Sequence, residues 1–137
     1  MYLGIDWGTK RVGLAIGKEI PYELATLQNN EEIFAKIAKL CSEEKVEAIV
    51  IGMPILESGD GNENSDKIED FGRRLKTDTG LPIHFEAENL TTQTALTLLK
   101  EEGASPQEIE EKVDQLAARL ILEQFIANKE EESQEAL

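Results

Sequence analysis

Two acidic residues stand where the surrounding sequence argues against them, and a third can converge on the same point. Asp6 closes the apolar run Tyr2-Leu3-Gly4-Ile5, and Asp114 sits within a helical stripe shared with Ala117, Ala118 and Ile121. Glu88 lies just past the apolar segment Leu81 to Phe85. A carboxylate among apolar side chains is costly unless something pairs with it. Acids brought together also repel, and each resists ionisation without a counter-ion. A hard divalent cation with oxygen ligands, Mg²⁺ or Mn²⁺, relieves both problems. Two such ions about 3.5–4 Å apart would clamp the attacking water and the leaving oxygen of a phosphodiester.

Each acid also has an ordinary reading. Asp6 suits a turn, capping Gly8 or Thr9. Glu88 suits a solvated loop, and Asp114 suits an ion pair with Arg119 or Lys112. Lys10 and Arg11, with the cluster Arg73-Arg74-Lys76, offer cations to a phosphate backbone; Lys10 and Arg11 also suit a solvated edge strand. Trp7 reads as core packing before base stacking. His84 has no second His or Cys at ligand spacing, so a core or edge role is expected.

These residues need elements to hold them. Two apolar runs around Asp6-Trp7-Gly8-Thr9 predict a hairpin, with strands near Tyr2 to Asp6 and Arg11 to Ile16. Gly13 inside the second run predicts a bulge or a close backbone approach. A third strand is expected near Glu23 to Leu27, then a helix from about Asn30 to Glu44. Ala48-Ile49-Val50-Ile51 is apolar without alternation, which predicts a central parallel strand closed by a Gly52-Met53-Pro54 turn. The polar stretch Glu57 to Ser65, with Gly59 and Gly61, reads as a loop that could close over a substrate. A helix from Ser65 to Thr77 follows, then a strand from Leu81 to Phe85, then a helix capped by Thr91 or Thr92. Ser105-Pro106-Gln107-Glu108 is a capping box that opens a last helix ending near Ala127. An acidic, frayed tail is expected over 129–137, leaving one domain over 1–128. The order predicts an α/β fold: a mixed five-stranded sheet, made of an antiparallel three-stranded meander plus two parallel strands, with helices on both faces. Parallel strands 1, 4 and 5 would bring Asp6, Gly52 to Pro54 and Glu88 to one sheet edge, where open α/β sheets bind ligands.

The 137 residues suffice for one domain with a sizeable core. The formal net charge is −14, and the last nine residues account for only −3 of it. Broad, non-specific nucleic-acid binding is therefore disfavoured, though a local basic strip is not. One cysteine, Cys41, excludes an internal disulfide and fits a reducing, cytoplasmic setting as a buried thiol. No apolar run is long enough to span a membrane, so no membrane partner is expected.

Four motifs, in this order and spacing, resemble one family. They are Gly4-Ile5-Asp6-Trp7-Gly8-Thr9-Lys10-Arg11-Val12-Gly13, Val50-Ile51-Gly52-Met53-Pro54, Glu88-Asn89-Leu90-Thr91-Thr92 and Lys112-Val113-Asp114-Gln115-Leu116-Ala117-Ala118. Together they are similar to the YqgF/RuvX family of ribonuclease-H-like proteins, over nearly the whole chain. Members are described as Holliday-junction resolvases or as nucleases that mature the end of pre-16S rRNA. The resemblance implies a ribonuclease-H-like fold and a metal-dependent nuclease whose acids match Asp6, Glu88 and Asp114. The implied partner is nucleic acid, pre-rRNA or branched DNA, with a homodimer left open. The family reads Asp-Glu-Arg-Leu-Thr-Thr where this chain has Ala87-Glu88-Asn89-Leu90-Thr91-Thr92, so an acid and a base beside Glu88 are missing. Two other functions stay open: a non-catalytic binding module, and a phosphate-loop ATP-binding domain suggested by Asp6-Trp7-Gly8-Thr9.

Overall fold

The computed structural model describes residues 1–55, 63–88 and 91–135, with side chains to residue 132. Five strands, β1 (Tyr2–Trp7), β2 (Arg11–Gly17), β3 (Tyr22–Gln28), β4 (Ala48–Pro54) and β5 (Ile83–Glu88), form one sheet in the order β3-β2-β1-β4-β5. The meander β1-β2-β3 is antiparallel, whereas β1–β4 and β4–β5 are parallel. The mixed sheet expected from the sequence is therefore present. Four helices cover it: α1 (Ile33–Glu43), α2 (Ser65–Thr79), α3 (Thr91–Glu101) and α4 (Pro106–Glu135).

Alternation along β1 sorts its side chains between two layers. Leu3 and Ile5 join Val12, Leu14 and Ile16 in a core sealed by α1 and α2 through Ile33, Ile37, Ile68, Phe71 and Leu75. On the other face, Val50 packs with Ile121, Leu122 and Phe125 of α4. Helix α3 closes a satellite cluster against α4 through Ala95, Leu99, Val113 and Leu116. Cys41 is buried in the first core, and burial pushes its thiol up to about 11, as a structural rather than reactive sulfur.

Several element boundaries differ from the sequence expectation, and three of them change how an element ends. Gly52-Met53-Pro54 is not a turn but the end of β4, because β5 runs alongside it, with Gly52 opposite Glu86 and Pro54 opposite Glu88. Pro54 is tolerated there because β1 pairs with β4 only as far as Ile51, so no ladder bond is lost on that side. Glu88 consequently belongs to β5, as its last residue. Helix α4 runs to Glu135 rather than stopping near Ala127. Its last turns, Asn128 to Glu135, are rich in Glu and hold no Gly or Pro, so nothing breaks the helix. At its start the expected capping box is formed, with Ser105 Oγ accepting from Glu108 N–H at 3.2 Å and Glu108 Oε1 accepting from Ser105 N–H at 3.3 Å.

Candidate active site

The C-terminal ends of β1, β4 and β5 share one edge, and α4 crosses beneath them. Two glycines allow that crossing. A Cβ on Gly13 would run into the backbone carbonyl of Asp114, so only glycine lets α4 lie this close to β2. Gly13 stands opposite Asp6 in the β1–β2 ladder, which brings Asp114 under Asp6. A Cβ on Gly52 would meet Ile121 Cδ1 at 2.5 Å and the Glu88 carboxyl carbon at 3.1 Å. The second glycine thus makes room for Glu88 and for α4 together.

The electrostatics follow from this crowding. Burial raises the Asp6 pKa well above the ordinary carboxylate range, and the charges of Glu88 and then Asp114 push it further up. Burial also raises Glu88, against a hydrogen bond from Thr91 that lowers it. Glu88 Oε2 is buried and has no hydrogen-bond partner. Asp114 does have a partner: Arg11 Nε donates to its Oδ2 at 3.0 Å. The expected pairings of Asp114 with Arg119 or Lys112 are not made. Arg119 is held by Glu23 and Glu123, and Lys112 by Glu108. Among the described residues no group of three or more His, Cys, Asp or Glu side chains is assembled as a metal centre. A guanidinium occupies the third acid.

The donor set nevertheless suits a hard cation. It is all oxygen, one carboxylate oxygen is buried without a partner, and mutual repulsion raises Asp6. These are the conditions that a divalent ion relieves.

The other candidate residues divide. Lys10 and Thr9 are exposed on the β1–β2 turn, and Asn29 pins that turn, with its Nδ2 donating to the Gly8 carbonyl at 2.7 Å. Arg11 is partly neutralised by Asp114 and by Glu110 at 3.5 Å. Arg73 is bound to Asp70 at 2.7 Å, and Arg74 to Asp78 at 3.0 Å. These two therefore differ from the free cations expected of them. Lys76 lies in a shallow cleft beside Ile83 and Phe85 on the α2 side of β5. Gly59, Gly61 and Asn89 lie outside the described residues. His84 is on the edge strand β5, its ring 5.2 Å from that of Phe125. The sequence reading missed the Arg11–Asp114 pair, because 103 positions separate the partners and only the fold joins them.

The strand order and helix placement define a ribonuclease-H-like fold. Thermus thermophilus RuvC, solved in complex with a Holliday junction substrate, has the same fold: the TM-score is 0.52 at 16% identity, over 88% of this chain and 90% of RuvC. A family model described as RuvX, Holliday junction resolvase, matches residues 1–128, and the chain belongs to that family. Among curated relatives, a protein of Nitratidesulfovibrio vulgaris is 35% identical over 130 residues, covering 91% of this chain and 92% of its own length. One from Azotobacter vinelandii is 35% identical over 134 residues, covering 94% of each chain. Both carry the name "Putative pre-16S rRNA nuclease".

Proposed function

We propose that this chain is a divalent-metal-dependent nuclease that hydrolyses phosphodiester bonds in structured nucleic acid. Asp6, Glu88 and Asp114 are its metal ligands and catalytic acids. The observation that carries this reading is that Glu88 of β5 and Asp114 of α4 both act electrostatically on the buried Asp6 of β1, and that Glu88 keeps a buried, unpartnered oxygen. The curated relatives' name favours precursor 16S rRNA as substrate, and the family description favours a branched DNA junction.

A bound Mg²⁺ or Mn²⁺ supplies a water of lowered pKa and neutralises charge at the phosphate. The chain's own residues do the rest. Burial raises the pKa of both Asp6 and Glu88, so each would give up its proton on becoming a ligand. Arg11 holds the Asp114 carboxylate in place until a substrate phosphate competes for the guanidinium. Lys10, exposed at the same edge, meets the backbone.

A second reading, a non-catalytic binding module, is favoured by one observation: Asp114 is already satisfied by Arg11. A cleavage assay separates the two. Precursor 16S rRNA and a four-way DNA junction are incubated with Mn²⁺ and either the wild type or Asp6→Asn. The nuclease reading expects cleavage of at least one substrate by the wild type, lost in the variant. Uncut substrates, or equal cutting by both proteins, support the binding module or a contaminant.

A further inference from the structure

Trp7 follows Asp6 directly, and strand alternation sends the two side chains to opposite faces of the sheet. Asp6 faces α4 and the acids. Trp7 packs against the other core and, half-buried, also lines an open cleft of about 560 Å³ between the β1–β2 turn, the start of α1 and the first half of α2. That volume lies within the usual range for small-ligand sites.

The charged residues that line the cleft are two acids, Glu31 and Asp70, and two bases, Lys67 and Arg74. Its two acids, Glu31 and Asp70, face Arg74 at 3.7 Å and Arg73 at 2.7 Å. Lys67, exposed in the first turn of α2, makes no ion pair among the described residues. Its ammonium is therefore available to a phosphate without an ion pair being broken. The Arg74 guanidinium lies over Phe34, 4.3 Å from the ring centroid, as one wall. Asn29, tied to Gly8, keeps the Trp7 side of the opening fixed.

We propose that this cleft binds one unstacked nucleotide of the nucleic-acid strand, with Trp7 as the stacking platform and Lys67 as the phosphate contact. This deepens the nuclease reading, because a base held on Trp7 lies one residue from Asp6. A strand would pass over the sheet edge, with its phosphate at the acids and its neighbouring base on the other face. Stacking on aromatic rings tolerates any base, so the cleft favours single-stranded or splayed segments over intact duplex.

Trp7 is the only tryptophan in the chain, so its emission reports on the cleft alone. Metal-free protein is titrated with a short oligothymidylate and with a blunt duplex of equal length. Labelled-strand anisotropy reports binding independently. Saturable quenching by the single strand and much weaker quenching by the duplex are expected. Lys67→Ala should weaken strand affinity several-fold with an unchanged melting midpoint. Trp7→Leu, if folded, should weaken it about tenfold. Strand binding without quenching, equal quenching by duplex, no strand binding, or unaltered affinity in Lys67→Ala would each overturn the proposal. Cleavage by the wild type with no quenching would sink this inference alone. Quenching without any metal-dependent cleavage would keep it and sink the nuclease reading.

Discussion

Asp6 is the residue on which the site turns, and its sign can be worked out. Its folded pKa is raised, so the folded state holds the proton to higher pH than the unfolded chain does. The stability it contributes is complete below the ordinary carboxylate pKa and is lost as pH rises through the folded value. Asp6→Asn removes that loss. In metal-free buffer it should melt a few degrees above the wild type at pH 8, with the gap closing below about pH 4. Melting curves across pH check this; a variant that melts lower at pH 8 would show that Asp6 is a structural partner instead. Asp114→Asn is a different case, because it strips Arg11 of its shorter ion pair and leaves the guanidinium only Glu110, at 3.5 Å. Arg11 itself competes with any cation for Asp114. Arg11→Gln should therefore bind Mn²⁺ about tenfold more tightly, read by electron paramagnetic resonance titration of the metal-free protein. Unchanged or weaker Mn²⁺ binding would mean that the guanidinium does not guard the site.

Among the elements, α4 and β2 set the tolerance of the whole arrangement. Gly13→Ala forces its methyl against the Asp114 carbonyl, which is backbone and cannot turn aside. It should cost about 1–3 kcal/mol or more in urea unfolding and displace Asp114. Gly52→Ala meets chiefly the end of the Ile121 side chain, which can move, so it should cost less. Equal costs would contradict the assigned close approach. Much of this was legible in the sequence. The unbroken apolar run at Ala48–Ile51 pointed to a central parallel strand, and Gly13 pointed to a close approach. The Ser105–Glu108 box marked the start of α4. The end of β4 was not legible, because Gly and Pro carry the same signal in a turn and at a strand end beside a short neighbour. The end of α4 was missed because acidic polar sequence suits a solvated helix as well as a frayed tail.

At the scale of the whole molecule, the net charge of −14 makes binding to nucleic acid a local affair. A few cations must carry it, so affinity should be weak and salt-sensitive, with a slope of about 0.7 per single-strand phosphate contact. The basic cluster on α2 was readable in the sequence, and so was the spacing of Asp70 and Arg73 on a helix; the Arg74–Asp78 pair was not, since Asp78 lies past the expected helix end. Lys10→Glu with Lys67→Glu should lower affinity and flatten the slope more than Arg73→Glu with Arg74→Glu. A larger effect from the arginine pair in a salt series would move the substrate path to the outer face of α2. Among the described residues no helix is long and apolar enough to cross a membrane.

The central claim is that Asp6, Glu88 and Asp114 act together as one cation site. The shift in melting midpoint on adding Mn²⁺ tests it most directly, measured for the wild type and for Asp6→Asn, Glu88→Gln and Asp114→Asn. Binding to the folded state alone stabilises by about 2.7 kcal/mol at a hundredfold excess over Kd, a shift of several degrees. The wild type should show that shift, and each variant should lose most of it. A wild type that Mn²⁺ leaves unmoved, or any one variant that keeps the full shift, would contradict the claim.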